Sequence, residues 1–215
     1  QTTRISKGMM DFTKYEFTLD CDHPYWITDR RHVEIIFEFL MQTDLQRVAE
    51  IGCYTGFSTA AFIEALNRGK DFKLHLVDTL PTEQVRRVIS MCDKPDKIVF
   101  HEQAGRDVLQ KWTDFDLVFV DGDHSIQGAG SELLMILRNN TPNVMSHDSN
   151  LINLTENWGG EGSELLARAL SSHKDYFCLE DKEVREGERT DRGFFFASRE
   201  QDKYKIAKDI FEKLC

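Results

Sequence analysis

Short apolar runs alternate with longer amphipathic stretches over most of the chain. The runs at Arg47 to Ile51, Lys73 to Val77, Lys97 to His101, Leu117 to Val120 and Asn143 to Ser146 read as buried strands. Two more, near Tyr176 to Leu179 and Gly193 to Ala197, make seven. Between them, apolar positions fall at helical spacing in Ser58 to Asn67, Thr82 to Met91, Gly105 to Trp112, Ser125 to Arg138 and Ser163 to Ser171. A further helical pattern, His32 to Met41, precedes the first strand. This alternation predicts an α/β fold, a largely parallel sheet with helices on both faces. The charge-rich stretch Glu180 to Arg192 has no helical period, which predicts a hairpin and hence an antiparallel last strand.

No internal repeat and no Pro- or Ser-rich linker divides the chain. Residues 1–42 are read as an N-terminal segment and helix, a lid or an oligomer contact, and 43–215 as the main domain. The stretch 151–162, with Trp158 and three glycines, reads either as a mobile loop over the site or as a plain surface connection.

Composition narrows the partners. Forty per cent hydrophobic residues suffice for a sizeable core, and 37 acidic against 27 basic residues give a net charge of −10. That balance argues against a nucleic-acid partner, which needs a basic face to displace counterions. The five cysteines are scattered without a C-x-x-C pair, so neither a zinc knuckle nor a disulfide framework is supported. No apolar run approaches the ~18 residues of a membrane span, and no apolar signal core opens the chain, so a cytoplasmic protein is expected. A homo-oligomer is compatible with this composition.

Two stretches carry chemistry. The first, VAEIGCYTGFSTAAF, places Glu50, Gly52 and Gly56 between a strand and a helix, with Cys53 and Tyr54 in the loop. Glycines there permit a tight turn and a close backbone approach to a ligand, and Ser58 and Thr59 are placed to cap the helix. Tyr54 stands where a dinucleotide fingerprint has its second glycine, so the spacing is E-x-G-x-x-x-G and a nicotinamide enzyme is disfavoured. Glu50 could face a cationic group or bond the loop's own amides. Asp78, at the second strand's end, could accept two hydrogen bonds from a vicinal diol or cap the helix after Pro81.

The second stretch is FDLVFVDGDHSIQG, a buried strand that ends in Asp121, Asp123 and His124. A second acid, Asp148, follows His147 at the end of the next strand. Neighbouring parallel strands would bring Asp121 and Asp148 together at the carboxyl edge of the sheet, where open α/β sheets bind ligands. Two close carboxylates repel unless a cation sits between them, and hard oxygen donors favour Mg²⁺, with Mn²⁺ or Ca²⁺ as competitors. Asp123 reads as a helix N-cap. His124 and His147 each have a plainer reading as well, an exposed helix-start residue and a strand-end histidine bonding substrate or backbone.

The E-x-G-x-x-x-G loop, Asp78, the run Ala104-Gly105-Arg106-Asp107 and Asp121 together resemble the class I methyltransferases that use S-adenosylmethionine, over about Val48 to Ala197. The resemblance implies a Rossmann-like seven-stranded sheet. It implies that Glu50, Gly52, Cys53, Tyr54, Gly56, Ser58, Asp78, Gly105, Arg106 and Asp121 line the cofactor, with Asp78 on the ribose and Gly105 and Arg106 at the adenine. More narrowly, the chain is similar to the metal-dependent O-methyltransferases, the catechol enzyme and, nearer, the macrocin, mycinamicin and cephalosporin-hydroxylase-like groups. That implies Asp121 and Asp148 as metal ligands and His124 as general base. At the third ligand position this sequence departs, with His147 where the sugar enzymes have an acid and Ser149 where the catechol enzyme has an asparagine. The expected reaction is S-adenosylmethionine-dependent methylation of a small-molecule hydroxyl, on a sugar or a catechol-like acceptor. Transfer by His124 without metal, a nicotinamide-dependent oxidoreductase and a non-catalytic binding module stand as alternatives.

Overall fold

The computed structural model describes residues 9–23, 26–149, 161–183 and 193–215. Seven strands form one sheet: β1 (Arg47–Ile51), β2 (Lys73–Val77), β3 (Ile98–His101), β4 (Leu117–Val120), β5 (Asn143–His147), β6 (Phe177–Asp181) and β7 (Phe194–Ser198). Their order is β3-β2-β1-β4-β5-β7-β6. The first five run parallel, and β7 lies antiparallel to both β5 and β6. The antiparallel last strand is as expected, and the order reverses between β1 and β4, which opens a crevice at their carboxyl ends.

The helices are α1 (Arg30–Gln42), α2 (Thr59–Asn67), α3 (Glu83–Ser90), α4 (Gly105–Lys111), α5 (Ile126–Arg138), α6 (Glu161–Ser171) and α7 (Gln201–Leu214). Strand side chains alternate between two cores, as period-two geometry requires. Val48, Leu74, Leu76, Leu117, Phe119, Phe194 and Phe196 meet α1, α2, α3 and α7 on one face. Ala49, Ile51, Val118, Val120, Val144 and Phe195 meet α4, α5 and α6 on the other. With both faces covered, the strands are apolar almost throughout. Helix α1 belongs to the first of these cores through Val33, Ile36, Phe37 and Leu40, so the N-terminal helix is packed into the sheet's own interior.

Besides a short 3-10 turn at Pro95–Lys97, two elements were not expected from the sequence. A 3-10 helix spans Phe12–Leu19, and α7 closes the chain. The apolar stripe of α7 (Ile206, Ala207, Ile210, Phe211, Leu214) lies at helical spacing among its many charges. Strand β6 begins one residue later than expected and runs on to Asp181. The stretch 151–160 and most of the loop between β6 and β7 lie outside the described residues, so the reading of 151–162 as a loop over the site has no structural counterpart here. Among the described residues no helix is long and apolar enough to cross a membrane.

Candidate active site

Gly52 follows β1 at φ +87°, and Gly56 turns the chain again at φ +86°. A β-carbon on Gly52 would overlap the backbone of Asp121 and Gly122, so the β1 and β4 ends are in direct backbone contact. Tyr54, in place of a middle glycine, itself takes φ +42°. The amides of Cys53 and Tyr54 both donate to Asp78 Oδ2 at 2.9 Å, and Leu80 N–H donates to Asp78 Oδ1 at 2.8 Å. Asp78 therefore braces the loop and keeps spare lone pairs on a half-buried carboxylate. The cap of α3 is Thr82, not Asp78.

Glu50 is fully buried. Its Oε1 accepts from Ser58 Oγ at 2.6 Å, while Oε2 has no hydrogen-bond partner among the described residues. Burial pushes its pKa up to about 8, against the opposite pull of the Ser58 and Thr59 hydroxyls. An orphaned, buried carboxylate oxygen below a glycine loop fits a cationic ligand group. Ser58 sits at the start of α2 in helical conformation without a capping bond, so the expected cap is corrected. Its hydroxyl is spent on Glu50 instead.

Gly105 opens α4 and, like Gly122, packs on Ile51, which sets it beside the crevice. The Arg106 guanidinium pairs with the adjacent Asp107 at 3.0 Å, both side chains being exposed.

The strand ends bring the second constellation together. Val120 of β4 is in register with Ser146 of β5, so Asp121 and His147 are level at the sheet edge. Asp148 takes φ +59°, a left-handed turn that non-glycine residues seldom adopt. His124 Nε2 lies 3.3 Å from Asp148 Oδ2 and 3.8 Å from Asp121 Oδ1. Donor atoms of Asp121, His124 and Asp148 all fall within 4.8 Å of one another, the spacing of a metal-binding set. His147, expected as the third ligand, approaches from the buried side. Its Nδ1 is 3.4 Å from Asp121 Oδ1 and 3.2 Å from Asp148 Oδ1. Although burial works against charge, the two carboxylates hold its pKa well above the usual histidine range.

Three participants escaped the sequence reading. Ser163 Oγ sits 3.0 Å from His124 Nδ1 and fixes the ring. Thr28 donates to Asp121 Oδ2 at 2.7 Å, and Asp29 Oδ2 lies 3.4 Å from His147 Nε2. Each reaches the site across a large gap in sequence, so no local spacing announces it. Asp123 is not the cap of α5. Ser125 is, while Asp123 accepts from the Ser125 amide at 2.9 Å.

Residues 49–148 match the family described as a methyltransferase domain. No curated protein matches the chain. Among solved structures it is similar to the O-methyltransferase TomG from Streptomyces achromogenes, involved in tomaymycin synthesis and crystallised with S-adenosylmethionine. That pair shows 17% identity and a TM-score of 0.71, over 88% of this chain and 91% of the other. It is also similar to an S-adenosylhomocysteine-bound Podospora anserina methyltransferase, at 16% identity and a TM-score of 0.66, over 86% of each chain. A Bacillus cereus O-methyltransferase gives 16% identity and a TM-score of 0.64, over 85% and 87%. Residues 49–148 thus match a methyltransferase domain, and the chain as a whole shares the fold of these methyltransferases.

Proposed function

We propose that the chain transfers the methyl group of S-adenosylmethionine to a hydroxyl oxygen of a small molecule, a sugar or a catechol-like acceptor, with His124 as general base. The observation that carries the reading is the placement of His124 Nε2 against Asp121 and Asp148 at the edge of the glycine-loop crevice. Ser163 Oγ, 3.0 Å from Nδ1, holds the ring with Nε2 at the crevice, where the unprotonated nitrogen takes the acceptor's proton as oxygen attacks the sulfonium methyl. Glu50 Oε2 is the seat for the cofactor's ammonium, and Asp78 retains acceptors for its ribose hydroxyls.

Asp121 and Asp148 are the carboxylates that would hold a divalent ion, the remaining positions being filled by water and acceptor oxygens in the manner of Mg²⁺. Such an ion lowers the pKa of the acceptor hydroxyl and orients it. A second reading, transfer without an ion, is favoured by His147, whose imidazole already faces both carboxylates and relieves their repulsion.

Single-turnover methyl transfer, screened over hydroxylated acceptors with and without EDTA, tests both readings. His124→Ala should slow the chemical step on the order of 10²-fold or more while cofactor binding persists. An unimpaired His124→Ala would remove the base, and full activity of metal-stripped protein would select the second reading.

A further inference from the structure

A row of carboxylates and imidazoles continues inward from the active-site edge, beyond anything methyl transfer requires. Past His147 come Asp29 and His32 from the start of α1, then Asp181 at the end of β6. The sheet explains the row, because His147 and Asp181 are both in register with Phe194 of β7, and His32 stacks on the Phe194 ring at 5.0 Å. His32 Nε2 lies 3.3 Å from Asp181 Oδ2. That oxygen also receives Arg31 Nη2 at 2.9 Å and Cys215 Sγ at 3.3 Å.

The proton bookkeeping of the two imidazoles leaves a gap at Asp29. An ionised carboxylate only accepts, so His32 must place its proton on Nε2, facing Asp181. The same logic puts the proton of His147 on Nδ1, facing Asp121 and Asp148. Both rings then turn their second nitrogen toward one acid. His32 Nδ1 is 3.3 Å and His147 Nε2 is 3.4 Å from Asp29 Oδ2. His32 Nδ1 is buried and makes no hydrogen bond among the described residues. In the metal-free protein a second proton on a ring fills that gap, and a divalent ion can replace it, drawing on both nitrogens and the carboxylate at once.

We propose that Asp29, His32 and His147 form a transition-metal site of the Zn²⁺ class, separate from the Asp121–Asp148 pair. The three donor atoms lie within 4.8 Å of one another. Ligands about 2.0–2.1 Å from a tetrahedral ion stand roughly 3.3–3.4 Å apart, which matches both measured nitrogen–oxygen separations. Metal-bound histidines characteristically hold their other N–H on a carboxylate, and here both do, His32 on Asp181 and His147 on the active-site acids. Imidazole donors suit Zn²⁺, Co²⁺ or Ni²⁺ and are poor partners for Mg²⁺, so the two sites differ in the ion they take. Asp29 keeps some solvent contact and supplies a route in. The ion would pin the start of α1 to the sheet edge, and with it Thr28, which bonds Asp121.

The site is tested on the full chain with no methyl donor, so the outcome is independent of the methyl-transfer reading. Chelator-treated protein is titrated with Co²⁺ and then Zn²⁺, followed by visible absorption and by metal content after gel filtration. About one equivalent of Co²⁺ is expected with the intense absorption of a four-coordinate ion, displaced by Zn²⁺, together with a raised thermal midpoint. His124→Ala should retain that signal, whereas His32→Gln and Asp29→Asn should lose it. Failure of the wild-type chain to retain either ion overturns the proposal. So does a signal that survives His32→Gln or Asp29→Asn, or one that vanishes with His124→Ala. Circular dichroism identifies any variant that fails to fold. In that event the wild-type and His124→Ala titrations decide by themselves.

Discussion

At Gly52 a β-carbon would run into the carbonyl of Asp121, in a backbone conformation that L side chains avoid. Gly52→Ala must therefore part β1 from β4 at the crevice, and isothermal titration should show S-adenosylmethionine binding lost or weakened by more than 10-fold. Wild-type affinity in that variant would place the cofactor elsewhere. Glu50 supports a finer expectation. Burial raises its pKa to about 8, so at pH 7 the free protein holds this carboxyl mostly protonated. An ammonium seated on Oε2 favours the ionised form, so binding should release close to one proton. The apparent binding enthalpy at pH 7 should then change between phosphate and Tris by the difference in their ionisation enthalpies. In Glu50→Gln that dependence should vanish. A buffer-independent enthalpy in the wild-type chain would mean that Glu50 does not meet the cation.

Between elements, the chemistry depends on contacts that no stretch of sequence spells out. Helix α6 brings Ser163 to His124 and the Gly162 amide to the His124 carbonyl at 2.9 Å, so the His124 ring is aimed by a residue 39 positions away. Ser163→Ala should leave cofactor affinity unchanged and lower the single-turnover rate roughly 10-fold, the scale of one orienting hydrogen bond of about 1.4 kcal/mol. An equal loss of affinity and rate would instead mark a structural role for the serine. The same division explains what was legible beforehand. Gly52, Glu50, Asp121, His124 and Asp148 could be picked out because each sits at or just past the end of an apolar run, and strand ends of a parallel sheet share one edge. Ser163, Thr28, Asp29 and His32 could not, because they enter from helices and segments whose placement only the packed cores decide. Arg106, chosen by position, pairs its side chain with its own neighbour Asp107 in this structure. Ser58 likewise was chosen for a helix start and serves a buried acid instead.

For the molecule as a whole, the buried titrating groups set how stability follows pH. Glu50 and Glu132 are both buried, and burial lifts each to about 8. A carboxyl whose folded pKa is raised keeps a proton that the unfolded chain has surrendered, so its contribution is present below about pH 4.5 and is lost as pH climbs through 8. His147, held above the histidine range, has the same sign once the unfolded chain deprotonates near pH 6.5. His75 opposes them at lower pH. Burial and its neighbour His101 depress it to about 4, so between pH 4 and 6.5 the unfolded chain takes up a proton that the folded one refuses, and stability rises with pH. The two trends partly cancel below pH 6.5 and cease to do so above it. Denaturation midpoints of chelator-treated protein should therefore fall gently from pH 5 to 6.5, where two retained protons oppose one refused, and more steeply from 6.5 to 8. Each retained proton contributes a slope of about 1.4 kcal/mol per pH unit. Saturating S-adenosylmethionine should reduce the fall by the share of Glu50, because the bound ammonium ionises that carboxyl. Glu132→Gln should reduce it by a similar share with or without cofactor. Stability that rises from pH 6.5 to 8, or a slope indifferent to both changes, would show that these buried acids are ionised in the folded protein.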